Sequence, residues 1–207
     1  MNQHAMPSPK HFAAFPIIAS LSLGLAACGD LAPQHAQEPP LAGADIGGPF
    51  ELVNKDGETV RWEDFDGKYR TVYFGFTYCP DICPTDVGRM IHGLRRLGEV
   101  EPDKAAKIQP IFISIDPERD TPEIVGEFAA AFSDELIGLT GTPEQVKQAA
   151  DNFRVFYSRG EDTPGGGYLV DHSAIFYLFG PNGEPLATLP TDQGPDAVAA
   201  ELAKWVS

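Results

Sequence analysis

Two cysteines, Cys79 and Cys83, stand in the run Thr77-Tyr-Cys-Pro-Asp-Ile-Cys-Pro-Thr85. A thiolate is both a nucleophile in disulfide exchange and a soft metal ligand, so this dithiol can bind metal, exchange disulfides, or do both. The β-rich run Thr71-Val-Tyr-Phe-Gly-Phe76 leads directly into it, and Val87, Ile91 and Leu94 follow at helical spacing. That predicts Cys79 on the loop after a strand and Cys83 in the first turn of the next helix. Unpaired N–H groups and partial positive charge at a helix start favour thiolate over thiol. Asp81, between the cysteines, acts in the opposite sense. An i, i+4 spacing near a helix start keeps both sulfurs on one side and within disulfide reach. The loop so closed is too short for a useful structural crosslink. The spacing is wider than the usual oxidoreductase pattern and leaves room for an ion, and two soft sulfurs favour Cu(I) or zinc. Two cysteines that merely pack in a core are the plainer alternative.

A metal would need a third ligand. His92 lies about 900° of helical rotation beyond Cys83, on the opposite face. Met90 returns to the right face but roughly 10 Å along the axis, which suits a core residue better than a ligand. His35 falls in a flexible stretch, and His4 and His11 in the leader. His172, in Val170-Asp-His-Ser173, precedes an apolar strand and follows the glycine-rich Asp162–Tyr168 loop, whose glycines would let it open or close the site. Spacing alone leaves His172 equally an ordinary surface or capping histidine.

The elements that must position these residues form an alternating series. A hairpin is predicted over Phe50–Val60, strands over Thr71–Phe76 and Ile108–Ile115, and a helix from Pro84 to about Leu97. Thr121-Pro122 opens another helix, and Thr142-Pro-Glu-Gln145 has the form of a capping box opening one to about Phe153. Ala174–Phe179 and Leu186–Leu189 form a second hairpin around Pro181-Asn-Gly-Glu184, before a last amphipathic helix over Pro195–Val206. The order is βαβ, then ββα with an inserted helix: an α/β, thioredoxin-like fold with a mixed central sheet flanked by helices and an N-terminal hairpin. Topologically, the second hairpin can lie beside the first core strand and bring His172 near the cysteines.

The chain has 207 residues, 43% of them hydrophobic, which suits one globular domain plus extra sequence. Residues 1–27 read as a signal peptide: Lys10 and His11 precede a run from Phe12 to Ala27 without formal charge, interrupted by Pro16 and short for a membrane span. Leu25-Ala-Ala-Cys-Gly29 resembles the bacterial lipoprotein signal, which makes Cys28 the lipidated residue. Cleavage after small residues, leaving a free Cys28 thiol, is the alternative. Residues 28–47, rich in Pro, Ala, Gln and Gly, read as a tether, and residues 48–207 as the domain. Without residues 1–27 the balance is 14 basic and 30 acidic side chains, about −16. Such a charge argues against nucleic acid, whose backbone selects basic surfaces. A compartment that processes lipoproteins also lets disulfides persist.

Thr77-Tyr-Cys-Pro-Asp-Ile-Cys-Pro-Thr85, Ser114-Ile-Asp-Pro-Glu-Arg-Asp-Thr-Pro122 and Asp171-His-Ser173 together closely resemble the Sco (SenC) family, in that family's order and over essentially the whole domain. The resemblance implies a membrane-tethered thioredoxin-like protein that binds one copper ion, Cu(I) or Cu(II), through Cys79, Cys83 and His172. It implies assistance in assembling the dinuclear CuA centre of cytochrome c oxidase subunit II, with other periplasmic copper chaperones or thiol reductants as further partners. It also implies placement in the bacterial envelope, facing the periplasm. Asp171 would orient the histidine loop, and Asp116 would act either behind the ligands or at a helix start. The lipid-type anchor departs from the transmembrane helix of many members. Disulfide exchange by Cys79 and Cys83, without copper delivery, remains a second reading. A peroxiredoxin-like peroxidase fits neither cysteine, because the positions three and seven residues earlier hold Phe76 and Val72, or Pro80 and Phe76. A structural zinc site wants four ligands, and three are in view.

Overall fold

The computed structural model describes residues 37–164 and 166–207. The signal peptide, Cys28 and the first part of the tether lie outside the described residues. The end of the expected tether is bound to the domain: the Leu41 N–H donates to the Leu186 carbonyl at 3.0 Å and the Gly47 N–H to that of Asn152 at 2.9 Å. Among the described residues no helix is long and apolar enough to cross a membrane.

An antiparallel hairpin, β1 (Glu51–Val53) and β2 (Thr59–Arg61), opens the fold. Its turn is held by Asn54 Oδ1, which accepts from the Asp56 and Glu58 N–H groups. The core sheet begins with β3 (Tyr69–Gly75), every residue of which is buried, as a central strand requires. Helix α1 (Ile82–Val100) and a single turn, α2 (Pro102–Ala105), lead to β4 (Ile108–Ser114), parallel to β3 in register Tyr69↔Ile108. Helix α3 (Pro122–Ala130) starts where Thr121 Oγ1 accepts from the Ile124 N–H, and leads to β5 (Ile137–Leu139), parallel to β4. The expected capping box, Thr142 with Gln145, starts α4 (Pro143–Asn152). A separate two-stranded sheet follows, β6 (Tyr157–Thr163) and β7 (Gly167–His172). Strands β8 (Phe176–Phe179) and β9 (Pro185–Leu189) and helix α5 (Pro195–Trp205) complete the chain.

The central sheet runs β5-β4-β3-β8-β9, with β8 antiparallel to β3 in register Tyr73↔Phe176. One face presents Tyr73, Phe112 and Phe176, whose rings stack across neighbouring strands, with Phe128 of α3 against Phe112. Helices α1 and α5 pack together on this side, where Thr71 meets Met90. The other face is an aromatic cluster of Phe74, Phe153 and Phe179 with Trp62, closed by the N-terminal hairpin and the end of α4.

The mixed sheet, its flanking helices and the N-terminal hairpin are as the sequence predicts. Two features differ. Strand β5 adds a parallel edge that three residues, Ile-Gly-Leu, could not announce. The stretch expected to be a glycine-rich loop is largely ordered as β6 and β7, paired as far as Thr163 and Gly167.

Candidate metal centre

The site forms where β3 stops. A Cβ on Gly75, the last residue of β3, would lie 3.1 Å from Cys83 Sγ and 2.9 Å from the Tyr73 ring, so the glycine leaves the sulfur its space. The loop beyond is fastened at its start. The Cys79 N–H donates to the Phe76 carbonyl at 3.2 Å. Thr77 donates to Asp120 twice, through its N–H at 3.0 Å and its hydroxyl at 2.6 Å. Cys83 is the second residue of α1 and fully buried, while Cys79 is half-buried on the loop. The Cys83 N–H, one of the donors a helix start leaves free, points at Cys79 Sγ from 3.4 Å.

His172 ends β7, the strand before the turn into β8, and the β3–β8 pairing carries it to the cysteines. Its Nδ1 lies 3.2 Å from the Ser173 carbonyl oxygen. A carbonyl only accepts, so Nδ1 carries the proton and Nε2 keeps its lone pair. That Nε2 faces Cys83 Sγ at 3.3 Å. The rings of Tyr73 and Phe76 meet the imidazole nearly edge-on, each with its centroid 6.0 Å away. The two sulfurs and a ring nitrogen of His172 all lie within 4.8 Å of one another.

Burial sets the electrostatics here. It pushes the Cys83 thiol well above its ordinary range, with the adjacent Cys79 adding to the rise. The lowering expected from a helix start is therefore outweighed at Cys83. Burial also lowers His172, against an opposing hydrogen bond to Ser173, and so favours the neutral imidazole that a metal ligand must be. Burial raises Tyr73, whose hydroxyl lies against Cys83 and donates to Asp86 at 3.5 Å. Asp86 is raised by its own burial, with a hydrogen bond to Thr191 opposing. Two thiolates and one neutral imidazole, from one fully buried and two half-buried side chains, suit a soft ion of low coordination number. A closed zinc site would need a fourth donor.

The structure thus brings together Cys79, Cys83 and His172. Met90 is buried in the core and His92 is exposed. Asp171 is exposed. Asp116 touches neither cysteine nor the imidazole; it accepts from Arg119 and from the Tyr168 hydroxyl on β7. Sequence reasoning passed over Tyr73, Asp86 and Asp120. Tyr73 carried one legible signal, a phenol in an otherwise apolar buried strand, whereas an aspartate near a helix start reads as an ordinary cap.

With this geometry in place, the likeness to known proteins is specific. The SCO1/SenC family profile matches residues 38–207. Protein SCO1 homolog, mitochondrial, of Homo sapiens is 42% identical over 160 residues, covering 76% of this chain and 52% of that protein. A SCO2-like protein of Rickettsia felis is 38% identical over 193 residues, covering 88% of this chain and 91% of its own. The crystal structure of Arabidopsis thaliana ScoI with copper bound superposes with a TM-score of 0.71 at 38% identity, covering 77% of this chain and 97% of that one. The chain spans about half the length of the mitochondrial relatives from human and Arabidopsis.

Proposed function

This chain belongs to the SCO1/SenC family, and from that premise and its cysteine–histidine cluster we propose that it is a copper-binding chaperone in cytochrome c oxidase assembly. One observation carries the reading. Two sulfurs and an imidazole nitrogen converge within 4.8 Å, and the ring's other nitrogen is already committed to a backbone carbonyl. Copper is the cargo, held by Cys79, Cys83 and His172. Binding Cu(I) displaces one proton from each thiol and leaves the imidazole neutral. The resulting unit of negative charge is small enough for a half-buried pocket. Half-buried Cys79 gives an acceptor a route to the ion, while Cys83 and His172 hold it from the protein side.

The acceptor in this reading is the CuA domain of cytochrome c oxidase subunit II. The chain works in the bacterial envelope, facing the periplasm, tethered to a membrane by a lipid on Cys28 once residues 1–27 are removed. Other periplasmic copper chaperones or thiol reductants supply it.

A second use of the same sulfurs is favoured by their unequal burial. Cys79 can attack a target disulfide to form a mixed disulfide. Cys83 then displaces the target sulfur, releasing two target thiols and leaving a Cys79–Cys83 disulfide that an outside thiol must reduce. The deciding experiment loads the reduced domain with Cu(I) and mixes it with an apo CuA domain, with and without an external reductant. Delivery predicts transfer to a reduced acceptor that fails for Cys79→Ser and falls sharply for His172→Ala. No transfer, with disulfide reduction intact in His172→Ala, would replace delivery by the reductase reading.

A further inference from the structure

Strand β7 carries His172, yet among the described residues it pairs with β6 alone and has no backbone ladder to the central sheet. Something else must hold the imidazole at the cysteines. Along β7, Tyr168, Val170 and His172 share one face by the two-residue period of a strand. Val170 on that face is buried, whereas Leu169 and Asp171 point outward. Among the described residues, every hydrogen bond from the β6–β7 hairpin to the rest of the domain, other than those of His172 with Cys83 and with the adjacent Ser173, runs through Tyr168. The partner of Tyr168 is one side chain and its neighbours. Arg119 Nη1 donates to the Tyr168 carbonyl at 2.9 Å, and the Arg119 guanidinium lies 3.6 Å from the centre of the Tyr168 ring. Arg119 Nε also holds Asp116, at 2.5 Å, and the other oxygen of Asp116 accepts from the Tyr168 hydroxyl at 2.6 Å.

The same guanidinium reaches the other half of the site. It lies 5.1 Å from the ring centre of Tyr78, the neighbour of Cys79, and 5.8 Å from that of Phe76, whose ring meets the His172 imidazole. Arginine is suited to this position, since its flat, permanently charged fork can stack on rings and donate in its own plane at once.

We infer that Arg119 is a positioning residue that clamps β7 through Tyr168 and thereby sets His172 against Cys79 and Cys83. The inference rests on the copper reading above only for its affinity measurement. Partners behind metal ligands typically change affinity by roughly ten- to a hundredfold, and Arg119→Ala is expected to weaken Cu(I) binding by that much in chelator competition. The loss disappears when the substitution is made in a His172→Ala background, because the clamp acts only through the imidazole. Tyr168→Phe keeps the ring and removes the hydroxyl bond to Asp116, so it shows a smaller loss with the same dependence on His172. It serves as the test if Arg119→Ala does not fold. An equal loss with and without His172, or no loss in a folded variant, overturns the inference. A metal-free measurement separates it from the copper reading: in the apo protein the His172 imidazole NMR signals shift in either variant. Unchanged signals overturn the clamp even if copper binds, and failure of the wild type to bind copper overturns the chaperone reading alone.

Discussion

Asp120 has no exposed surface and accepts three hydrogen bonds, two from Thr77 and one from the Ser114 hydroxyl at 2.5 Å. It ties the cysteine loop to the end of β4, and its own carbonyl accepts from Thr140 near the end of β5. Removing it leaves buried donors without a partner, at a cost of roughly 1–3 kcal/mol, so Asp120→Ala should lower the urea midpoint at neutral pH accordingly. Burial nevertheless raises its carboxyl above the ordinary 3.8, so the folded chain holds this proton more tightly than the unfolded chain. The stability it contributes is complete below that unfolded value and is lost as pH climbs through the raised folded one. The gap in urea midpoint between the wild type and Asp120→Asn should therefore shrink on going upward from about pH 4. A gap that stays constant up to pH 8 would contradict this. Asp120 also shows where reading residues runs out. Cys79 and Cys83 were legible because their chemistry is local to nine residues. His172 stands 89 positions from Cys83, and only the family resemblance chose it. Asp120 becomes a buried anchor only once two strands and a loop close over it.

Elements were legible in proportion to how much of their stability is local. Helices α3 and α4 begin at the threonines that cap them, because a cap and the proline after it act within one turn. Strand β6, with Ser158, Arg159, Gly160, Glu161 and Asp162, has no apolar alternation to reveal it. It is extended because β7 pairs with it, and β7 is held by the inward face of its own side chains. The seam between α1 and α5 was equally hidden and is equally testable. A Cβ on Gly93 would lie 2.6 Å from a Val198 methyl and 3.0 Å from the Pro195 carbonyl oxygen. Alanine in a free helix would gain about 1 kcal/mol over glycine. Overpacking at a helix crossing typically costs roughly 1–3 kcal/mol, and here backbone as well as side chain must move. Gly93→Ala is thus expected to be net destabilising in urea denaturation, with Cu(I) affinity unchanged since the seam does not touch the site. A more stable variant would mean that α5 slides freely on α1.

At the scale of the whole molecule, the ligands join parts of the fold that are otherwise only loosely connected. Cys79 and Cys83 sit where the middle strand, β3, gives way to α1, while His172 ends a hairpin outside the central sheet. A bound ion would therefore act as a crosslink between the core and the β6–β7 layer. A ligand that binds only the folded state stabilises it by about 2.7 kcal/mol at a free concentration one hundred times its dissociation constant. Cu(I) held at that excess should raise the urea midpoint by an amount matching that figure. Its effect should also be uneven. Amides of β6 and β7 are expected to gain the most protection from hydrogen exchange, because they have the fewest ties to the sheet before the ion binds. In His172→Ala the ion can bridge only two cysteines four positions apart, so at the same free copper both the global stabilisation and the added protection of β7 should shrink together. Protection of β7 that rises equally in His172→Ala would show that the ion acts on the hairpin by a route other than the imidazole. A global rise with no change at β7 would place the ion on the cysteines alone.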